Sequence, residues 1–165
     1  MTLAENIRKP FARSSIRAEP IDVNESIRRV IEGIDKPPDV QILFRDDPGV
    51  PPVQATMQLD EVFDHLVKNA LDVLASYESE QDKRIEIVVQ WPEQESVTVC
   101  VSDSGPGFPE DREPFLLGSS TKPKGLGLSL WWSRLYLQRI GGDIELVDRE
   151  KPGCTFRVRI PADVG

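Results

Sequence analysis

Residues 101–107 read VSDSGPG, and residues 119–129 read SSTKPKGLGLS. Each stretch contains two glycines separated by one residue. Because glycine has no side chain, the backbone N–H groups around it can approach a bound anion closely. Neither stretch contains the GxxxxGK[ST] or GxGxxG pattern of the common phosphate-binding loops. A phosphate is therefore a first hypothesis, which the rest of the chain must decide.

A segment without a regular pattern, residues 108–124, lies between the two glycine pairs. It contains three prolines and, towards its end, Thr121, Lys122 and Lys124. This composition predicts a mobile, partly basic segment. A connection of this length without secondary structure is uncommon unless it has a function.

The composition indicates one soluble globular domain, with 165 residues, 39% hydrophobic and 29% charged. The net charge of −8 argues against a nucleic-acid partner, so a phosphate must be held by local geometry. Cys100 and Cys154 have neither metal-binding nor disulfide spacing, which favours a reducing compartment. The chain has no signal peptide and no apolar run long enough to span a membrane. We therefore predict a cytoplasmic segment without membrane insertion, whose parent protein could be membrane-anchored.

The pattern of apolar residues predicts helices interleaved with hairpins, which indicates an α/β sandwich with a mixed, mainly antiparallel sheet and helices packed on one face. The predicted domain covers residues 20–161, after a tail at 1–19 and before one at 162–165. Asn24 is predicted to cap the first helix, and PGVPPV (48–53) is predicted to be a turn. The predicted helices are 24–34, 58–75 and 126–140. The predicted strands are a short one beginning at Pro20 and those at 40–46, 84–91, 96–103, 143–148 and 155–160.

The helix at 58–75 carries a polar stripe beside its apolar arc. Glu61, His65, Asn69 and Asp72 follow one another along one side. One interpretation is the solvated edge of an amphipathic helix. The other is a ledge for metal and phosphate, since the Asn69 carbonyl can bind a Mg²⁺ ion otherwise held by water and phosphates.

Asp103 lies at the end of an apolar strand, on the same side as Val97, Val99 and Val101. A carboxylate there is costly unless a donor meets it. It could cap its own turn, or it could accept a hydrogen bond from the exocyclic amine of an adenine that packs on Gly105 and Gly107.

Taken together, five ordered motifs resemble the ATP-binding catalytic domain of bacterial sensor histidine kinases, within the Bergerat-fold ATPases. HLVKNALD (65–72) is similar to the N box, DSGPG (103–107) to the first glycine box, and GLGLS (125–129) to the second. EPFLLGSSTKPKG (113–125) is similar to the phenylalanine box with the following lid, and PGCTFRVRIP (152–161) to the closing strand.

The resemblance implies that the chain binds ATP and Mg²⁺, that Asn69 ligates the metal and that Asp103 reads the adenine amine. The segment between the glycine pairs would then be an ATP lid, with Lys122 and the second glycine box at the phosphates. Thr155 would support Asp103 from the neighbouring strand. The remaining residues that the resemblance assigns to the nucleotide are Asp72, Gly105, Gly107, Thr121, Gly125, Leu126, Gly127 and Leu128.

The sequence departs from the family pattern at its only histidine, His65. Many such kinases have a second asparagine there, and the hydrolysing branch of the fold has a carboxylate that acts as general base. His65 could be a weak base or a phosphate donor, or a solvated helix-edge residue. The chain also lacks the helical hairpin that carries the phosphoacceptor histidine in the family.

We therefore predict the catalytic part of a protein histidine kinase. It would present the γ-phosphate of ATP to a histidine on a dimerisation domain outside this chain, with a response regulator downstream. The same fold also serves anti-sigma-type serine kinases, hydrolysing ATPases and modules in which ATP only gates a protein contact. The form STKPKGLGL (120–128) favours the sensor kinase over the anti-sigma type.

Overall fold

The computed structural model describes residues 17–78, 80–116, 128–148 and 153–164. Three helices and seven strands are formed in this part of the chain. In order they are β1 (Glu19–Ile21), α1 (Val23–Gly33), β2 (Val40–Arg45), β3 (Val53–Ala55), α2 (Leu59–Ala75), β4 (Lys83–Glu93), β5 (Ser96–Asp103), α3 (Leu128–Arg139), β6 (Asp143–Asp148) and β7 (Cys154–Pro161).

The main sheet has five strands in the order β2-β4-β5-β7-β6. Strands β2 and β4 are parallel, and the other three neighbouring pairs are antiparallel. Strands β1 and β3 form a separate antiparallel pair, and Val53 of β3 also bridges to Ala162 after β7. The predicted mixed, mainly antiparallel sheet is confirmed.

The core forms between one face of the sheet and the helices. In β5, Val97, Val99 and Val101 are all buried, as the alternation of side chains along a strand predicts. The predicted apolar arc of α2 packs against this face, and its buried members are Leu59, Val62, Phe63, Leu66, Val67, Ala70, Leu71 and Leu74. The α/β sandwich is therefore confirmed.

The predicted cap of the first helix is wrong by two residues. The N-cap of α1 is Asp22, whose carboxylate accepts hydrogen bonds from the N–H groups of Asn24 at 3.0 Å and Glu25 at 3.3 Å. An N-cap residue precedes the helix and reaches the free N–H groups of its first turn, which Asp22 does. The amide of Asn24 is buried and donates instead to the carbonyl of Asp47 at 3.0 Å.

The stretch at 48–53 is not only a turn, because its last residue begins β3. This strand has three residues, and such a short stretch shows no clear alternation in the sequence. The pairing of β3 with β1 and Ala162 is a tertiary contact that local sequence does not predict.

Asp60 fixes the start of α2 against α1. Its carboxylate accepts from Nε and Nη2 of Arg29, at 2.9 and 3.1 Å, and from the hydroxyl of Ser26. Burial alone would raise the pKa of Asp60, but the hydrogen bonds from Arg29 and Ser26 hold it below its usual value. The helix that carries the predicted metal ligand is thus anchored at its first turn.

Candidate functional site

Asp103 is the last residue of β5 and is half-buried. Its Oδ1 accepts a hydrogen bond from the N–H of Gly105 at 2.9 Å, so the carboxylate does cap its own turn. Burial raises the pKa of Asp103, and the backbone N–H groups of Gly105 and Cys154 offset only part of this effect. Within the described ranges it forms no ion pair, so a further N–H donor would stabilise the charged form.

Gly105 allows the turn after β5 to lie directly on α2. A Cβ atom at this position would come within 2.9 Å of Asp103 Oδ1 and 3.0 Å of Val73 Cγ1. A side chain here would therefore push the turn away from the helix. Gly107 has a φ of 88°, in the region that favours glycine. Close packing at the first glycine of the pair and a positive φ at the second thus both favour glycine.

Gly153, just before β7, packs against the end of β5 at Asp103, and no role was predicted for it from the sequence. It has a φ of +91°, and a Cβ atom on it would lie 1.7 Å from the carbonyl oxygen of Asp103. Only bare backbone fits between the start of β7 and the end of β5. The feature of the sequence that could have indicated this role is a glycine directly before a predicted strand.

Thr155 contacts the neighbour of Asp103 rather than Asp103 itself. The strand register pairs Thr155 with Ser102 and pairs Asp103 with Cys154. The Thr155 hydroxyl lies 2.9 Å from that of Ser102. Because successive side chains alternate between faces, Thr155 extends from the face opposite to that of Asp103. The predicted support of Asp103 is therefore supplied by backbone N–H groups, and Thr155 instead cross-links β5 to β7.

An open cleft of about 550 Å³ adjoins this outer side of the sheet end. Its charged lining consists of four carboxylates and one guanidinium, which disfavours a triphosphate there. We therefore expect a nucleotide on the helix side of the sheet. The lining residues are Glu80, Gln81, Asp82, Arg84, Glu86, Ser102, Asp103, Ser104 and Thr155.

Helix α2 aligns the parts of the candidate site. Val73 packs at Gly105, Asn69 lies one turn earlier, and His65 lies one turn before that. At 1.5 Å per residue, His65 and Val73 are about 12 Å apart along the axis. Asn69 is half-buried, and Asp72 is exposed. The predicted metal ligand therefore lies between the contact with Asp103's turn and the contact with α3.

His65 is half-buried and bonded to α3, so it is not a solvated helix-edge residue. Its Nδ1 lies 3.2 Å from the hydroxyl of Ser133, and its ring meets the edge of Trp132 at 5.4 Å. Burial lowers the pKa of His65, against the opposing effects of Asp64, Glu61 and a hydrogen bond with the Ser129 backbone. This shift favours the uncharged imidazole.

The first part of the segment at 108–124 is anchored, which corrects the expectation that all of it is mobile. Phe108 and Phe115 both meet the ring of Phe156 edge to face, at 6.4 and 6.0 Å. The guanidinium of Arg134 lies 4.8 Å above the ring of Phe115 and also contacts Asp143 at 3.4 Å. The predicted phenylalanine box thus fixes the chain to β7 and α3 ahead of the predicted lid.

Part of the predicted phosphate site lies outside the described residues, namely Thr121, Lys122, Gly125, Leu126 and Gly127. Leu128 is the first residue of α3, with 46% of its surface exposed. Among the described residues, no group of three or more histidine, cysteine or acidic side chains could hold a metal ion. A single amide such as Asn69 fits Mg²⁺ whose other ligands are phosphate and water. None of the described helices is both long and apolar enough to cross a membrane.

Comparison with known proteins gives one family model, which matches residues 54–164 and is described as histidine kinase-, DNA gyrase B- and HSP90-like ATPase. Sensor protein FixL of Bradyrhizobium diazoefficiens is 36% identical over 74% of this chain and 24% of its own length. The sensory histidine kinase/phosphatase NtrB of Rhizobium meliloti is 33% identical over 76% of this chain and 36% of its own length. The chain thus spans about a quarter to a third of these two relatives.

Among solved structures, the catalytic domain of the histidine kinase ThkA superposes with a TM-score of 0.71 and 27% identity. The match covers 89% of this chain and 97% of that domain. It therefore extends over nearly all of the elements described above.

Proposed function

This chain belongs to the histidine kinase-, DNA gyrase B- and HSP90-like ATPase family, and we propose that it binds Mg²⁺ and ATP and supplies the γ-phosphoryl group to a histidine on another domain. Two of its relatives are the sensor protein FixL and the sensory histidine kinase/phosphatase NtrB, and a solved structure that it resembles over nearly its whole length is the catalytic domain of a histidine kinase. No observation favours the serine kinase, the hydrolysing ATPase or the gated binding module.

The observation that carries this proposal is the carboxylate of Asp103, which is half-buried, has its pKa raised by burial and has no cationic partner among the described residues. An adenine amine would donate to it and offset the cost of burial. The Gly105 backbone lies beside the carboxylate and packs directly against α2, so the turn holds Asp103 in a fixed position. We therefore assign the base to Asp103 and the two glycines of the first pair.

The phosphates would extend along α2 towards the start of α3. Asn69 would hold Mg²⁺ through its side-chain carbonyl, which would neutralise charge on the phosphates. The N–H groups at the start of α3 would face the phosphates together with the second glycine box and Lys122. The chain's own contribution to the reaction is then positioning and charge neutralisation.

The acceptor must come from outside this chain, because its only histidine is fixed against α3. We propose that the acceptor lies on a helical dimerisation hairpin, in the same polypeptide or in another, and that a response regulator receives the phosphoryl group afterwards. Both steps would take place in the cytoplasm. Calorimetry with ATP tests the first requirement: we expect binding that strengthens with Mg²⁺, and no binding at all would contradict the proposal.

An apolar strip on α3 could receive the hairpin. Leu128, Trp131 and Leu135 lie on one side of the helix and are 46%, 38% and 39% exposed. The strip begins where the predicted phosphate loop ends. Since the acceptor histidine must approach the γ-phosphate, its hairpin must contact the surface around that point.

Trp131→Ala should therefore slow phosphoryl transfer to an added hairpin fragment by about tenfold, the scale of one well-buried aromatic contact in an interface. ATP affinity should be unchanged, because Trp131 is exposed and lies two residues from Ser133, which contacts α2, and so on nearly the opposite side of α3. Transfer from labelled ATP and calorimetry measure the two effects. Val147→Ala, which removes a 41% exposed apolar side chain from β6, is the matched control and should transfer normally. Equal transfer by the wild type and Trp131→Ala would exclude the strip as the docking surface.

A further inference from the structure

We propose that His65 is a positioning residue, which fixes the start of α3 against α2 through the buried hydroxyl of Ser133. This inference rests on the proposed function and deepens it, because it assigns to His65 neither base catalysis nor phosphate binding. It also explains how the metal ligand on α2 and the phosphate-binding end of α3 keep a fixed spacing.

The hydrogen-bond directions follow from the distances. The Ser133 hydroxyl donates to the carbonyl of Ser129 at 2.7 Å. A serine hydroxyl has one hydrogen, so towards His65 its oxygen can only accept. With that hydrogen directed at Ser129, we infer that Nδ1 of His65, 3.2 Å away, carries the ring proton and donates to Ser133. The tautomer of the neutral ring is fixed by its contact with α3.

This contact can affect the phosphate site because it holds the first turn of α3. Ser133 is completely buried, and Ser129 is the second residue of α3. The chain leads into this first turn from the predicted second glycine box. A shift of the turn would move the N–H groups expected at the phosphates, whereas Asn69 would stay in place one turn away on α2.

A second contact holds the same two parts of the fold together further along α3. Trp132, which meets the ring of His65, stacks on Tyr136 with ring centroids 5.4 Å apart. The Tyr136 hydroxyl lies 2.7 Å from that of Thr56, just before α2. If His65 is lost, α3 thus remains attached at Tyr136, and we expect its first turn to loosen rather than the whole domain to unfold.

The two nitrogens of the imidazole can be tested separately. In asparagine the amide nitrogen is bonded to Cγ, as Nδ1 is in histidine, so His65→Asn can still donate to Ser133. In glutamine the amide is one bond further out, near the place of Nε2. His65→Gln therefore keeps a polar group towards the nucleotide but loses the bond to α3. His65→Ala removes the contact with Ser133 and the hydrogen bond of the ring with the Ser129 backbone. Ser133→Ala removes the first of these contacts.

The experiment measures the affinity of each variant for ATP and for AMP by calorimetry, with competition against ATP where AMP binds weakly. We expect His65→Asn to bind ATP within about twofold of the wild type. His65→Gln, His65→Ala and Ser133→Ala should each lose about tenfold, the value of one buried hydrogen bond. AMP, which has the base but only one phosphate, should bind all of them nearly equally, which also shows that they are folded. The double variant His65→Ala/Ser133→Ala should bind ATP no more weakly than either single variant.

Four other outcomes would contradict the inference, each in a different way. ATP binding kept by His65→Gln and lost by His65→Asn would put Nε2 at the nucleotide and overturn the inference. Equal losses for ATP and AMP would reduce His65 to a general structural role and would also overturn it. If the wild type binds ATP and all the variants bind it with the same affinity, this inference is refuted but the proposed function is not. A wild type that binds no ATP would refute the proposed function and this inference with it.

Discussion

Asn69→Ala should weaken the binding of ATP by about a hundredfold when Mg²⁺ is present and leave binding in EDTA unchanged. The loss is of the size that follows removal of a group that holds or orients a bound metal. Asn69 is half-buried beside the core face of α2, so the fold should remain intact. Calorimetry with and without EDTA gives both values.

Lys68→Ala is the control for this variant on the same helix. Lys68 is exposed and forms an ion pair with Asp64 at 2.8 Å, a contact that contributes little to stability. Its ATP affinity should stay near that of the wild type. If Asn69→Ala lost the same affinity in EDTA as in Mg²⁺, Asn69 would contact the nucleotide directly and would not be the metal ligand.

Asp103→Asn should remove the preference for ATP over GTP, which we expect to be about a hundredfold or more in the wild type. A buried carboxylate accepts from the adenine amine and repels the carbonyl that guanine has in its place. An asparagine amide can donate as well as accept, so it discriminates poorly between the two bases. Competition calorimetry measures the ratio, and a wild type that binds both nucleotides equally would contradict the adenine assignment.

The same variant should make the nucleotide-free domain more stable at pH 7. Because burial raises the pKa of Asp103 in the folded state, the charged form costs stability above that pKa, and the cost fades as the pH falls through it. Asparagine can still accept from the N–H of Gly105. We expect a melting temperature higher by a few degrees, with a difference that narrows towards acidic pH. A lower melting temperature at pH 7 would show that the carboxylate has a stabilising partner.

The fold was largely predictable because apolar residues recur with a clear helical or strand periodicity in its longer elements. Helix α2 buries one continuous apolar arc, and β5 has the predicted bounds, 96–103. The predictions were wrong where tertiary contacts determine the secondary structure. Strand β3 has only three residues, and its pairing with β1 joins distant segments. The cap at Asp22 depends on where the helix begins, and helix ends are defined only to within one or two residues.

The candidate site was predictable where its chemistry is local in sequence. The turn at Asp103 and the glycines after it form one short motif, and Asn69 is marked by its place on a helical stripe. The contact between His65 and Ser133 joins residues 68 positions apart, and nothing in the sequence pairs them. The approach of Gly153 to Asp103 likewise depends on the register of two strands. These long-range contacts are the ones that fix the site's geometry.

The most direct test of the central claim is transfer of phosphoryl groups from γ-labelled ATP to an added helical-hairpin fragment that carries the phosphoacceptor histidine of a sensor kinase. We expect an acid-labile, alkali-stable label on the fragment, none on this chain, and slow release of free phosphate when the fragment is absent. The label should disappear with Asn69→Ala and persist at least in part with His65→Ala. Rapid ATP hydrolysis by the chain alone, abolished by His65→Ala and without any label on the fragment, would contradict the account and indicate a hydrolysing ATPase.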